Sequence, residues 1–182
     1  MRMWRFCSRY LATLVVAFLI TGQASVWAAE SRSGSALTAT SLISLQEARV
    51  IIDAAVAYAR EIKLSMAVVV VDQSGNMISA DRMEDASFHN EKLAKGKAFA
   101  SVILRQRTDA AASLAKSSPD RYFGIINMYP GEVYLVGGGI PVTVENRVVG
   151  AVGVAGLRGG EDEKAAEAGI AAWRKFREGI KK

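Results

Sequence analysis

The stretch from Gly137 to Gly156 constrains the fold of this chain more than any other segment. Two apolar runs rich in valine flank the polar residues Glu145-Asn146-Arg147, and this pattern predicts a β-hairpin over residues 140–155. Glycines at 150, 153 and 156 remove side chains from the second strand, which indicates that another backbone or a flat ligand comes close there. Acidic residues then open an alanine-rich helix that we expect to run from Glu161 to about Ile180.

The first 28 residues have the pattern of a secretory signal peptide. A basic start precedes a short apolar core from Leu11 to Ile20, and Val26-Trp27-Ala28 fits a cleavage site that requires small residues. We expect cleavage after Ala28 and a periplasmic or secreted protein. The alternative is an uncleaved anchor, but the apolar core is shorter than the roughly 20 residues that span a bilayer. We therefore expect no membrane span in the mature protein.

Removal of this segment changes the composition that bears on function. The full chain has a formal net charge of +5, but Arg2, Arg5 and Arg9 leave with the signal, and the mature chain keeps +2. This charge argues against nucleic-acid binding, which usually shows a concentrated basic surface. Cys7, the only cysteine, also leaves. Disulfides, iron–sulfur clusters and thiolate ligation of a metal are therefore excluded in the mature protein.

The mature chain divides into a short leader and one domain. Residues 29–43 are rich in small polar residues and are interpreted as a flexible leader, whereas residues 44–182 are enough for one core. Ser44 and Glu47 form a capping-box pattern, and the apolar spacing after them predicts a helix to about Lys63. The runs 67–72 and 77–82, separated by a turn, predict a first hairpin.

A second helix is predicted from Phe88 or His89 to about Arg105. Its small residues over 94–100 permit close approach of another element, and with the glycine strand they predict association into a homo-oligomer. Gly96 costs about 1 kcal/mol relative to alanine in a helix, which indicates a packing reason. We then expect a short helix over 109–116 capped by Thr108, a helical turn within 120–128 and a strand over 132–136. Hairpins joined by helices predict an α+β domain, an antiparallel sheet flanked by helices.

Several motifs in order resemble the GlcG/HbpS-type haem-binding family. The motifs are Val71-Asp72-Gln73-Ser74-Gly75-Asn76, Arg82-Met83-Glu84-Asp85-Ala86, Ala94-Lys95-Gly96-Lys97-Ala98, Gly138-Gly139-Ile140-Pro141, Val148 to Gly156, and Asp162-Glu163. The chain departs from the family pattern at Asp85 and at Leu157-Arg158-Gly159. The resemblance implies a profilin-like sheet, a homo-oligomer and haem as the cofactor.

His89 is the only histidine of the chain and the leading candidate for the haem-iron ligand. Neutral imidazole is the commonest protein ligand of haem iron. The alternative is a solvent-exposed histidine at the start of a helix. Asp85 is a candidate to orient the His89 ring through its other nitrogen. Further alternatives for the iron are Met83 as a thioether, the tyrosines at 122, 129 and 134, and Thr108, although methionine and tyrosine more often serve packing.

Three cations complete the candidate cofactor-binding residues. Lys95 and Lys97 lie on the second helix, where each could hold a haem propionate through a charge-assisted bond, or belong to a solvated face. Lys97 matches the lysine–alanine step of the family motif. Arg82 stands beside Met83 at the end of the first hairpin.

The first functional hypothesis is an exported haem-binding protein that stores, transfers or senses haem. Slow oxidative breakdown of haem stays open, because some relatives are described as haem-degrading. The sequence contains no dedicated catalytic constellation, so enzymatic activity is not assigned. The second hypothesis is a small-molecule-binding sensory or accessory module that acts with a partner protein, and a third is a purely structural subunit.

Overall fold

The structure, a computed structural model, describes residues 42–156 and 160–180 of the chain. Within these ranges the elements are α1 (Leu45–Glu61), β1 (Ala67–Asp72), β2 (Met77–Arg82), α2 (Asn90–Leu104), α3 (Thr108–Ser117), α4 (Pro119–Met128), β3 (Gly139–Val144), β4 (Arg147–Ala155) and α5 (Glu161–Ile180). The expected signal peptide, most of the leader and the departure at 157–159 lie outside the described residues. None of the helices in these ranges is both long and apolar enough to cross a membrane.

The four strands form one antiparallel sheet in the order β2-β1-β4-β3. Both hairpins pair as the sequence predicts, and β1 joins them by pairing with β4, with Val69 opposite Gly153. The second hairpin turns through Glu145 and Asn146, which both have positive φ, at 48° and 63°. The prediction of an α+β domain with an antiparallel sheet flanked by helices is therefore confirmed.

Both faces of the sheet are covered at its centre, which explains why the central strands β1 and β4 are apolar runs rich in valine. On one face, alternate residues of β1 and β4 pack with α1 and α5 around Trp173. The other alternate residues pack against α2, through Ala94, Ala98 and Val102. The resulting domain has three layers, with two helices on one side and α2 on the other.

Glu47 joins the beginning of α1 to α5. The capping box is formed as predicted: Ser44 N–H donates to Glu47 Oε2 at 2.8 Å, and Glu47 N–H donates to Ser44 Oγ at 3.2 Å. The other carboxylate oxygen accepts from Trp173 Nε1 at 3.2 Å and from Arg177 Nε at 3.0 Å. A residue that the sequence identifies as a local cap therefore also links two helices.

The glycines of β3 and β4 lie against a neighbouring backbone. The sequence had left open whether a backbone or a flat ligand comes close to them. A Cβ atom placed on Gly153 would overlap the carbonyl oxygen of Ala94, and one placed on Gly139 would overlap that of Lys97. The backbone of α2 therefore lies directly on the sheet at these two paired glycines. The small residues that predicted association between copies are used inside the domain, so the expected homo-oligomer would need another surface.

Gly96 faces away from the sheet and has its own packing reason. A Cβ atom there would lie 3.0 Å from Tyr134 Cβ and 3.3 Å from Glu132 O. The predicted strand over 132–136 is wrong, because this segment is irregular and lies along α2, where Tyr134 N–H donates to Gly96 O at 3.3 Å. Contact with the helix replaces pairing with the sheet.

Two further local predictions need correction. Thr108 is the first residue of α3 and not its cap, which is Arg107. Its buried Oγ1 accepts from Gly139 N–H at 2.9 Å and donates to Gly139 O at 3.4 Å, and so ties α3 to β3. The expected turn within 120–128 is a complete helix, α4, whose first residue is Pro119, a favourable position for proline.

The two edge strands of the sheet differ in how they end the ladder. β3 carries Pro141, which has no N–H to offer to a further strand. β2 ends in Asp81 and Arg82, and Asp81 accepts from Arg49 of α1 at 2.7 Å. Each edge thus has a feature that opposes pairing with another strand.

The close approach of α2 predicts a large cost for adding one methyl group at Gly153. Gly153→Ala should lower the free energy of unfolding by about 1–3 kcal/mol, because the helix backbone must move away from the sheet. Urea denaturation would measure this. The matched control is Gly124→Ala on α4, where a Cβ meets no atom within 4 Å and should stabilise by up to about 1 kcal/mol. Equal effects at both positions would contradict the proposed tight contact.

Candidate functional site

His89 is exposed at the beginning of α2, where its side chain makes no capping bond. Its ring nitrogen Nδ1 lies 2.9 Å from Ser87 Oγ, and the ring meets Phe88 edge to face at 5.5 Å between centroids. Phe88 is itself 87% exposed. An imidazole and a phenyl ring therefore stand together on the surface, with Nε2 of the imidazole outside the bond to Ser87.

The β2–α2 loop, residues 83–89, carries this pair and is fixed by backbone bonds. Met83 N–H donates to Met66 O at 3.1 Å, and Ala86 N–H donates to Met83 O at 3.0 Å. Arg82 Nη1 adds a bond of 2.7 Å to the carbonyl oxygen of Ala86, whose side chain is buried. The loop is consequently anchored on both sides although its last residues reach solvent.

The structure gives Arg82 and Met83 local structural contacts. The guanidinium of Arg82 spans four residues to hold the Ala86 carbonyl, and the half-buried side chain of Met83 packs against the core between the sheet, α1 and α5. The partner of His89 Nδ1 is Ser87 and not Asp85, which is exposed. Sequence reasoning missed Ser87, although a serine two residues before a histidine is close enough to bond it.

The two candidate lysines point to different environments. Lys95 is exposed on α2, as is Lys92 one turn earlier. Lys97 is only 3% exposed, and its Nζ donates to Asp162 Oδ2 at 2.6 Å and to Val154 O at 2.8 Å. The structure thus brings His89, Arg82 and Lys95 to the surface and leaves Lys97 in the interior.

Asp162 completes a buried ion pair that joins α2 to α5. Its second carboxylate oxygen accepts from Gly156 N–H at 2.8 Å. Burial raises the pKa of the Asp162 carboxyl, although the hydrogen bonds from Lys97 and Gly156 oppose that change. Gly138 makes room for the pair, because a Cβ atom there would lie 2.8 Å from Asp162 Cβ and 3.1 Å from Lys97 Nζ.

The sequence indicated only that acidic residues open α5, and it missed this role of Asp162. The sequence nonetheless contained an indication that Lys97 is buried and needs a partner. Lys97 lies between Gly96 and Ala98 on a helix whose small residues face the sheet, and a buried lysine requires a counter-charge. What no local pattern supplies is the identity of the counter-charge, which lies 65 residues further along the chain.

Three of the other candidate iron ligands are engaged in packing or hydrogen bonds, whereas Tyr134 is 38% exposed. Tyr122 is buried and its hydroxyl accepts from Gln106 Nε2 at 3.1 Å, and the Tyr129 ring packs on Phe99 at 5.3 Å between centroids. Thr108 is held by Gly139, as described above. In the described part of the chain, no three His, Cys, Asp or Glu residues are grouped so that they could hold a metal ion.

This fold is shared with solved structures of known proteins. A double mutant of HbpS from Streptomyces reticuli superposes with a TM-score of 0.65 at 32% identity, over 76% of this chain and 91% of that one. The crystal structure of a PduOC:heme complex superposes with a TM-score of 0.66 at 26% identity, over 72% of this chain and 94% of that one. The domain is therefore of the same architectural class as these two proteins.

The sequence comparison assigns the family. The model for haem degrading HbpS-like proteins matches residues 43–171, and the chain belongs to this HbpS-like family. An uncharacterized 15.0 kDa protein of the dhaT-dhaS intergenic region of Citrobacter freundii is 31% identical over 128 residues, which are 70% of this chain and 89% of that protein. Corrinoid adenosyltransferase PduO of Citrobacter freundii is 30% identical over 71% of this chain but only 38% of its own length.

The ion pair predicts that Lys97 acts mainly on stability. Lys97→Met should lower the free energy of unfolding by about 3–5 kcal/mol, because it leaves the Asp162 carboxylate buried without a counter-charge. Lys95→Met, on the exposed side of the same helix, should change it by less than about 0.5 kcal/mol. Chemical denaturation of both variants makes the comparison.

A double variant, Lys97→Met with Asp162→Leu, tests the origin of the cost. It should recover much of the lost stability, because no buried charge remains. If Lys97→Met is as mild as Lys95→Met, the pair does not hold the two helices together.

Proposed function

We propose that this chain is an exported haem-binding protein that stores, transfers or senses haem. The observation that carries the proposal is the exposed imidazole of His89 on an anchored loop, with Nδ1 bonded to Ser87 and Nε2 outside that bond. Membership of the HbpS-like family and the haem complex of PduOC support it.

The surface around His89 has the chemical groups that haem requires. The imidazole would bind the iron, and the neighbouring phenyl ring of Phe88 would give the porphyrin an apolar contact. The exposed ammonium groups of Lys92 and Lys95 lie on the following turns of α2, where they would pair with propionates. Bound haem would supply an iron centre that can exchange ligands.

The openness of this surface favours carrying haem over enclosing it. Phe88 is 87% exposed and His89 is exposed as well, so the chain by itself covers little of a porphyrin. Such a site exchanges its ligand with solvent and with other proteins more readily than a closed pocket does. Storage, transfer and sensing all need this exchange.

Association of several copies belongs to the same proposal. With the small residues of α2 used inside the domain, the support comes from exposed apolar side chains on α4, notably Phe123 at 67% and Met128 at 71% exposure. Exposed groups of this size favour a protein–protein contact. A second copy of this chain is the simplest occupant, because homo-oligomers are the commonest assemblies.

A second candidate function is an accessory module that binds a small molecule and acts with a partner protein. The match to PduO favours it, because there the similar region is 38% of a longer corrinoid adenosyltransferase. A haem titration separates the two proposals. A shift of the Soret band supports the first, whereas stabilisation by small organic acids without haem binding supports the second.

The haem proposal predicts a specific loss in His89→Ala. Removal of the iron ligand should alter the Soret band and weaken ferric haem binding at least about tenfold, since even partners of metal ligands contribute 10–100-fold. Lys95→Ala should weaken binding and leave the ligand-field bands unchanged. Absorption titration of the mature protein measures both. If His89→Ala matches the parent in spectrum and affinity, the iron ligand lies elsewhere.

Export predicts a defined mature N-terminus. The basic start, short apolar core and small residues before Ala29 should lead to cleavage after Ala28. Mass spectrometry of protein from the periplasmic fraction should therefore find a chain that begins at Ala29 or within a few residues of it. Recovery of only the full-length chain from the cytoplasm would refute export.

A further inference from the structure

The β2–α2 loop holds its last residues in a defined position before any ligand arrives. Four bonds fix it: Met83 to Met66, Ala86 to Met83, Arg82 to Ala86, and Asn90 N–H to Ser87 O at 3.0 Å. The side chain of Ala86 is buried, and Asn90 after the loop is buried as well. Ser87, between these anchors, therefore has little freedom in its backbone.

Ser87 directs its hydroxyl to one nitrogen of the neighbouring imidazole. The distance from Oγ to His89 Nδ1 is 2.9 Å, and no second partner for this hydroxyl is found among the described residues. A serine hydroxyl can accept a hydrogen bond from Nδ1–H or donate one to an unprotonated Nδ1. The first arrangement puts the ring proton on Nδ1 and leaves the lone pair on Nε2. The second does the reverse.

We propose that Ser87 is a positioning residue whose hydroxyl oxygen accepts a hydrogen bond from Nδ1–H of His89, so that Nε2 is the nitrogen presented to the iron. This inference rests on the proposed haem-binding function. Metal-bound histidines almost always donate their other ring N–H to an oxygen, which fixes the tautomer and raises the basicity of the ligand nitrogen. Ser87 is the oxygen in position to do so, and Nδ1 is the nitrogen turned back toward the loop.

Arg82 serves the same arrangement one step further from the ring. Its bond of 2.7 Å to the Ala86 carbonyl fixes the residue directly before Ser87. The sequence made Arg82 a candidate for binding the cofactor directly. We assign it instead to holding the loop that carries the proposed iron ligand, His89. Arg82→Met should loosen the loop and weaken haem binding. The Ser87 hydroxyl itself is unchanged in this variant, so the effect would come from its position.

The decisive experiment compares the parent with Ser87→Ala and Ser87→Thr. In the haem-free protein, with histidine labelled by 15N, the ring-nitrogen shifts at a pH where the ring is neutral report the tautomer of His89 directly, because it is the only histidine. The parent and Ser87→Thr should favour the Nδ1–H form, and Ser87→Ala should lose that preference. Ser113→Ala, which removes an exposed hydroxyl on α3, is the control and should leave the tautomer unchanged.

The same variants then bind ferric haem in an absorption titration. Ser87→Ala should weaken binding about tenfold. Ser87→Thr, which keeps a hydroxyl, should bind as tightly as the parent. A parent in the Nε2–H form, or an affinity for haem that Ser87→Ala leaves unchanged, overturns the inference. A parent with no Soret shift at all overturns the proposed function, and the tautomer measurement still decides whether Ser87 orients the ring.

Discussion

The direct contact between the backbone of α2 and the sheet determines much of this domain. At Gly153 and Gly139 no side chain separates the helix from the strands. The helix can come so close only because Ala94 and Ala98 present small side chains to the sheet. Since Lys97 lies between these positions in the chain, the same approach carries its ammonium group into the interior, where a charge must be paired.

Asp162 and Gly138 follow from that buried ammonium. The carboxylate supplies the opposite charge from the first turn of α5, on the other side of the sheet, and glycine at 138 leaves the space that both groups occupy. Gly138 also has φ of 112°, a conformation that other residues rarely adopt. One close contact thus fixes the identities of residues in three separate segments, which accounts for much of the glycine-rich motif.

The sequence predicted those parts of the structure whose causes are local. The capping box of α1, both hairpins and the extent of α5 each depend on neighbouring residues, and each was predicted nearly to its ends. The segment 132–136 has the apolar composition of a strand, but the carbonyl of Gly96 offers the backbone N–H of Tyr134 a partner outside the sheet. That competition arises only after α2 has packed, so no local pattern could reveal it. The pairing of Lys97 with Asp162 is equally non-local.

The candidate site divides in the same way. The histidine count, the family resemblance and the place beside Arg82 and Met83 together singled out His89, which the structure places on the surface. The sequence could not distinguish cations that reach solvent, such as Lys95, from one that is buried, Lys97. The edge strands have a consequence for how copies of the chain could meet. Pro141 on β3 and the charged end of β2 oppose continuation of the sheet into a neighbouring molecule. Any contact between copies would then fall on the helical surfaces, and the folded domain is protected from strand-by-strand aggregation.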